Sequence, residues 1–494
     1  MTKYIISLDQ GTTSSRSVII NHRGEIVDIN QKEIKQYYPK NGWVEEDPLE
    51  IYESQIYTLK SCLIKNNILP DQIYSVGITN QRETTILWNK KTGKPVYNAI
   101  VWQCKRSSNI CDELRNSGYA DMIHKITGLI LDPYFSATKI KWILDNIDGV
   151  RDEAEEGNIL FGTVDTWLLW MLTDGQSHYT DVSNASRTML FNINTKKWDD
   201  DLLDILDIPR TILPEIKPTA YHFGNISNSI FEGSIPIHCL IGDQQSALFG
   251  QLCTDIGDIK NTYGTGCFTL MNTGEKPVFS NNGLLTTVAW EYDNRCYYAI
   301  EGSVFVGGAV IQWIRDELGI IKNASESNTL AKSVQDNNGV IFISTFQGVG
   351  TPYWCSNVKA QISGLSRSTK KAHIVRAALE SIAFRTMEVI NTMELDSEIK
   401  ISSLKVDGGA CRNDFLMEFQ SGISNVDIVR PTNTESTALG AAYMAGLYSK
   451  FWKDIYELKH LKKTDRTFKP SMDSKTREKR VNEWSKAIKK AIGD

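Results

Sequence analysis

No run of roughly 18 apolar residues occurs anywhere in the 494-residue chain, so a membrane-spanning helix is not expected. The opening MTKYIISLDQ is stopped by Asp9 after a short apolar stretch, far less than a secretory signal needs. Basic excess is missing too. Lys and Arg number 54 against 59 Asp and Glu, a formal charge of −5, which argues against a nucleic-acid partner. The nine cysteines form no CxxC pair and the seven histidines no HxxxH, which argues against structural zinc. Scattered thiols in so long a chain read as reduced and cytoplasmic. Low-complexity tracts and short repeats are absent, and so is any GxxxxGK[ST] phosphate loop. Aromatic residues at 10% argue against disorder.

What is present is a strand-turn-strand signal that occurs twice. Tyr4 to Leu8 runs into Asp9-Gln10-Gly11-Thr12-Thr13-Ser14-Ser15-Arg16 and then Ser17 to Ile20. Far downstream, Asp258 to Tyr263 runs into Gly264-Thr265-Gly266 and then Cys267 to Met271. β-Branched runs around a glycine and small hydroxyl residues read as hairpins. Each is expected to open a β-meander, so the chain divides into two similar halves, 1–250 and 251–494. Helical patterns cover Pro48 to Leu63, Phe135 to Ile147, Val304 to Leu318, His373 to Met393 and Thr437 to Leu447. Strands alternating with helices predict an α/β fold, whose ligands bind beyond strand carboxyl ends.

Six groups of residues have chemistry to offer. Gly11 permits close backbone approach, Thr12, Thr13 and Ser14 can donate to phosphate oxygens, Arg16 adds charge, and Asp9 can hold Mg²⁺. A plain hairpin with a surface Asp is the competing reading. Gly264-Thr265-Gly266 and Gly408 to Asn413 are further nucleotide-compatible turns, each also explicable as an ordinary turn. Asn80-Gln81-Arg82-Glu83 is either a salt-bridged surface turn or a polyol clamp, with Arg donating to and Glu accepting from hydroxyls. Asp243, in Gly242-Asp243-Gln244-Gln245, is a helix N-cap, a general base, or both. Trp102, Tyr134 and Phe268 can flank a small substrate's carbons or simply fill a core.

With these residues in view, the chain closely resembles the glycerol-phosphorylating members of the FGGY carbohydrate kinases, within the actin-like ATPase superfamily. The resemblance rests on LDQGTTSSR from Leu8, GITNQRETT from Gly77, YNAIVWQC from Tyr97, FGTVDTWL from Phe161 and NASRTMLFNI from Asn184. It continues with GDQQSALFGQL from Gly242, NTYGTGCF from Asn261, MNTGEKP from Met271 and VDGGACRND from Val406. It implies two ribonuclease-H-like domains with a cleft between them, and transfer of the ATP γ-phosphoryl group to glycerol with Mg²⁺. It further implies that Arg82, Glu83, Tyr134, Asp243 and Gln244 contact glycerol, with Trp102 and Phe268 as apolar walls and Asp243 as base. Thr12, Thr13, Ser14 and Arg16 resemble the first phosphate segment. Thr265, Gly308 and Gln312 resemble second-lobe nucleotide contacts, Gly409 and Asn413 the adenosine end, and Asp9 the residue organising Mg²⁺. Dimers or tetramers are implied as well.

Alternatives are a related polyol or sugar kinase, which the Arg82-Glu83 and Asp243-Gln244 pairs argue against, and a non-catalytic actin-like ATPase module, which needs no polyol clamp. Relatives commonly read Gly-Ala-Pro-Tyr-Trp-Asp-Pro where this chain has Gly350-Thr351-Pro352-Tyr353-Trp354-Cys355-Ser356, which puts that loop's conformation in question. Enteric relatives carry a Gly-Thr-Arg segment that binds fructose 1,6-bisphosphate. Gly233-Ser234-Ile235-Pro236 has no Arg, so weak or absent inhibition by that sugar is expected. Tyr221-His222-Phe223-Gly224 resembles a segment whose histidine is phosphorylated by the sugar phosphotransferase carrier, with an exposed loop histidine as the competing reading.

Overall fold

The computed structural model describes residues 2–346, 348–355 and 358–493 and is built on two mixed sheets. The first begins with an antiparallel meander of β1 (Tyr4–Gln10), β2 (Ser14–Ile20) and β3 (Ile26–Glu33). Helix α1 (Pro48–Lys65) follows. Asp47 caps it, accepting from the Leu49 N–H at 2.8 Å, and Pro48 sits where no N–H is needed. Its buried face, with Ile51, Leu59, Cys62 and Leu63, covers β2 and β3. The sheet is completed by β4 (Ile73–Asn80), β5 (Ala220–Ile226) and β6 (Ile235–Gly242), in the order β3-β2-β1-β4-β6-β5.

Strand β4 runs parallel to β1 and β6, with Gln10 and Gly242 both in register with Asn80. Three carboxyl ends therefore lie in one row. Asp9, the Asn80–Glu83 turn and Asp243 all leave the sheet at that edge, where open α/β sheets bind ligands.

Helix α2 (Asp243–Gly250) leads to the second sheet. Its strands are β7 (Ile259–Tyr263), β8 (Cys267–Gly274), β9 (Leu285–Tyr292), β10 (Arg295–Val304), β11 (Ser403–Asp407), β12 (Asp427–Pro431) and β13 (Thr464–Phe468). Their order is β9-β10-β8-β7-β11-β12-β13, with β7, β11 and β12 parallel. The expected second meander is altered: β8 pairs with β10, and β9 lies at the edge. Helix α3 spans Ala309–Asp316 rather than starting at Val304, because Val304 still pairs with Cys267 and Gly307-Gly308 break the chain first. The other helical expectations are met by Pro48–Lys65, Ser136–Asn146, α4 (Lys371–Ser397) and, after α5 (Asp414–Ser424), by α6 (Ser436–Tyr448).

The two halves interlock through α2 and α6. Helix α6 packs on β1, β4 and β6 of the first sheet, while α2 reaches β7, β8 and β9 of the second. They cross at glycines. A β-carbon on Gly440 would lie 1.8 Å from the Ser246 carbonyl oxygen, and one on Gly250 2.0 Å from that of Ser436. Gly77 in β4 makes the same kind of allowance, its β-carbon position lying 2.3 Å from the Ala441 carbonyl oxygen.

The basic amphipathic C-terminal segment forms α7 (Ser474–Ile492). It packs on its own domain: Trp484 and Ile488 are buried, and Trp484 stacks on Phe384 with centroids 4.8 Å apart. Among the described residues no helix is long and apolar enough to cross a membrane. In the departing loop, Val349 and Cys355 exchange backbone hydrogen bonds of 2.8 and 2.9 Å; Ser356 lies outside the described residues.

Candidate active site

Asn80 to Glu83 are buried, so the surface-turn reading fails. Arg82 is the hub of the cluster. Its Nε lies 3.1 Å from Asp243 Oδ1, Nη1 donates to Glu301 Oε2 at 2.6 Å and Gln245 Oε1 at 3.1 Å, and Nη2 donates to Glu301 Oε1 at 3.0 Å. Arg187 completes the network, with Nε 2.7 Å from Glu83 Oε1 and Nη2 3.2 Å from Glu301 Oε1. Glu83 takes a left-handed φ of 61°, costly for a side chain with a β-carbon. The Arg187 bond and a 3.0 Å hydrogen bond from Ser136 to the Glu83 carbonyl hold it there.

Two arginines and two glutamates thus cancel in a buried tetrad, leaving Asp243 as the surplus negative charge. Burial by itself would raise the Glu301 carboxyl, but Arg187 and Arg82 outweigh it and hold it at about 2. Gly242, not Asp243, is the N-cap of α2; Asp243 is its first residue. Asp243 Oδ1 is engaged by Arg82 and by the Gln244 N–H at 2.7 Å, while among the described residues Oδ2 has only the long 3.3 Å contact to Gln244 Nε2. The Asp243 side chain is 29% exposed against 2% for Arg82, so its carboxylate remains reachable.

The aromatic residues come together from three distant segments. Trp102 meets Tyr134 edge-on at 5.5 Å and Phe268 at 6.3 Å. Trp102 Nε1 also donates to Thr12 Oγ1 at 3.0 Å, which ties this apolar wall to the β1–β2 turn. There the Gly11 N–H donates to the Ser14 carbonyl at 3.0 Å, the Thr13 carbonyl accepts from Ile34, and Ser14 is buried at the start of β2. Arg16 approaches Asp9 at 3.6 Å and donates to Glu435 at 3.0 Å, so it reaches from the first sheet to the start of α6.

Asp9 suits a divalent cation. Burial raises its pKa, Arg16 lowers it, and Glu435 and Asp243 raise it again. A carboxylate short of positive charge, offering hard oxygen donors at a strand end, fits Mg²⁺.

All five predicted second-lobe residues (Thr265, Gly308, Gln312, Gly409 and Asn413) line one cavity of about 670 Å³. A β-carbon on Gly409 would meet nothing within 4 Å, so its backbone is open to a ligand. Gly408 has φ 81° and packs against the Tyr263 backbone, which requires glycine. The Asn413 side chain caps α5 and donates to Ser327, so capping competes with any ligand for it. Thr12, Thr13, Ser14 and Arg16 do not line this cavity. His222 is in neither group: it is exposed on β5, with Nδ1 3.2 Å from His238 Nε2. Cys267 and Cys411 adjoin the glycine turns, but burial pushes both thiols up to about 12, which leaves them unreactive.

Glu301, Arg187 and Lys260 were not among the sequence-derived candidates. Two had a faint signal, a charge inside an apolar or small-residue run: Tyr298-Ala299-Ile300-Glu301 and Asn184 to Phe191; Lys260, among Asp258, Asn261 and Thr262, had none.

Interlocked ribonuclease-H-like sheets, a nucleotide-sized cavity on one and a polar, aromatic-walled cluster on the other define a two-lobed kinase of the actin-like ATPase fold. Residues 4–250 match the N-terminal domain, and residues 259–448 the C-terminal domain, of the FGGY family of carbohydrate kinases. The chain belongs to that family. It is 57% identical over 492 residues to a glycerol kinase of Clostridium botulinum (strain 657 / Type Ba4), covering 100% of this chain and 99% of that one. It is 55% identical over 491 residues to glycerol kinase 2 of Thermotoga maritima, covering 99% of each. Among solved structures, Plasmodium falciparum glycerol kinase with ADP superimposes with a TM-score of 0.92 at 38% identity, over 99% of this chain and 98% of that one. A xylulose kinase from Lactobacillus acidophilus shares the fold at 23% identity and a TM-score of 0.89, over 99% of this chain and 98% of that one.

Proposed function

We propose that this chain is an ATP-dependent glycerol kinase, forming sn-glycerol 3-phosphate and ADP in the first step of glycerol breakdown. The observation that carries the reading is the Arg82–Asp243 pair at 3.1 Å beside the Trp102–Tyr134–Phe268 wall, whose Tyr134 ring centroid lies 5.5 Å from the Arg187 guanidinium of the same network. Hydroxyls need donors and acceptors together, and the carbons between them need apolar faces. Full-length identity of 55–57% to glycerol kinases supports the choice of polyol.

In this reading Arg82, Glu83 and Gln244 orient glycerol. Arg82 and the Gln244 N–H hold Asp243 Oδ1, which leaves Oδ2 to take the hydroxyl proton. The hydroxyl oxygen attacks the γ-phosphorus, its O–H bond breaks toward Asp243, and the P–O bond to ADP breaks. Phosphoryl transfer of this kind depends mainly on alignment and charge neutralisation. Thr12, Thr13, Ser14 and Arg16 face the phosphates; Thr265, Gly308, Gln312, Gly409 and Asn413 hold the nucleotide. Asp9 would hold Mg²⁺, which would supply neutralising charge at the phosphates. Residues 1–250 and 251–494 act as the two lobes.

The setting is cytoplasmic and the assembly a homodimer or homotetramer. The exposed His222 accepts a phosphoryl group from a phosphotransferase carrier, which mass spectrometry after incubation with that carrier would detect. A coupled ADP-release assay across polyols tests the central claim. Turnover with glycerol is expected to exceed that with xylulose or dihydroxyacetone, and no turnover with glycerol would sink the reading.

A further inference from the structure

Lys260 is a fully buried lysine on β7, beside the residues just assigned to the polyol. Its Nζ lies 2.6 Å from Gln244 Oε1, 2.9 Å from Thr262 Oγ1 and 3.2 Å from the Phe268 carbonyl. An ammonium has three protons, and three acceptors use them all, so none is left to reach a phosphate. That makes Lys260 a positioning group rather than a catalytic one. Its partners belong to opposite halves: Gln244 lies in the first turn of α2 at the end of the first sheet, and Phe268 lies on β8 of the second.

An ammonium can only donate. Gln244 must therefore turn its carbonyl toward Lys260, which leaves Nε2 directed at Asp243 Oδ2 at 3.3 Å. We propose that Lys260 fixes the amide of Gln244 so that an N–H₂ donor, not a carbonyl, stands beside the base, and that glycerol affinity depends on this orientation. The proposal rests on the assignment of Asp243 and Gln244 above.

The charged groups facing Lys260 are Asp407 on β11, Glu301 on β10, Asp243 on α2 and Arg82 after β4. Burial outweighs the three carboxylates and lowers its pKa to about 8. A neutral amine has a lone pair and tolerates the flipped amide, so the orientation should loosen as pH rises through about 8.

Steady-state kinetics of the full-length enzyme test this with Lys260→Met, Gln244→Ala and the double variant. Lys260→Met should raise KM for glycerol about tenfold, the effect of one misdirected hydrogen-bond partner. KM for ATP should stay unchanged and kcat should change less than KM for glycerol. The double variant should be no worse than Gln244→Ala, because the two residues act as one. Multiplying effects, or an unchanged KM for glycerol, would overturn the proposal. If Lys260→Met does not fold, the wild-type pH profile decides: KM for glycerol should climb above about pH 8, and a flat profile between pH 7 and 9.5 overturns it. Wild-type enzyme without glycerol turnover would sink the functional reading and this proposal together. Wild-type turnover with an insensitive Lys260→Met would sink the proposal alone.

Discussion

Replacing Glu301 with Gln would remove one charge from the buried tetrad while keeping its volume. Glu301 accepts from Arg82 at 2.6 and 3.0 Å and from Arg187 at 3.2 Å. The two guanidiniums would then share Glu83 and Asp243. The gap between about 2 and the ordinary 4.5 of a glutamate, at about 1.4 kcal/mol per pH unit, puts the carboxylate's contribution at about 3 kcal/mol. Loss of one partner from a buried ion pair costs about 3–5 kcal/mol on general grounds, in agreement. For a lobe of this size about 3 kcal/mol lowers Tm by roughly 6–12 °C.

Because the folded pKa lies below the unfolded one, this stabilisation is complete above about pH 4.5 and disappears as pH falls through about 2. Thermal melts of wild type and Glu301→Gln should therefore differ by a constant amount from about pH 6 to 8 and converge on acidification below about pH 4.5. Turnover should fall as well, since Arg82, released from Glu301, would bind Asp243 more tightly and weaken it as a base. A variant that melts within about 2 °C of wild type at pH 7, with undiminished kcat, would refute this charge balance.

Asp243→Asn should lower kcat by about 10²–10⁴, the usual share of a general base, while calorimetry still detects glycerol binding; undiminished turnover removes Asp243 from that role. Asp9→Asn should raise the Mg²⁺ concentration needed for half-maximal rate, and an unchanged Mg²⁺ titration would place the metal elsewhere. Gly440→Ala would force a methyl group to within 1.8 Å of the Ser246 carbonyl oxygen. It should destabilise the α2–α6 crossing by about 1–3 kcal/mol or more, read as a lower Tm.

The β1–β2 turn, the Asn80–Glu83 cluster and the Gly408 turn were legible because each combines glycine or polar residues with a preceding apolar strand. That combination marks a strand end in any α/β protein. The start of α3 was misplaced because Val304 suits strand and helix alike, and its pairing with Cys267 comes from another part of the chain. The edge position of β9 had the same origin. Glu301 stood in an apolar run as an isolated charge and Lys260 in a polar stretch beside Asp258, with nothing nearby in sequence to say that either would be buried.

Composition, periodicity and turn chemistry are local, and they were enough to show an α/β chain with two comparable halves, strand-end turns fit for phosphate, and a base candidate in Asp243. Other features depend on residues separated by scores or hundreds of positions. Arg82 meets Glu301 across 219 positions. Trp102 meets Thr12 across 90, and α6 of the second half lies on the sheet of the first. Desolvation and ion pairing are set by which groups meet inside the folded chain. The neutral tetrad, the lightly engaged Oδ2 of Asp243 and the orientation of Gln244 therefore come into being only when the two halves interlock.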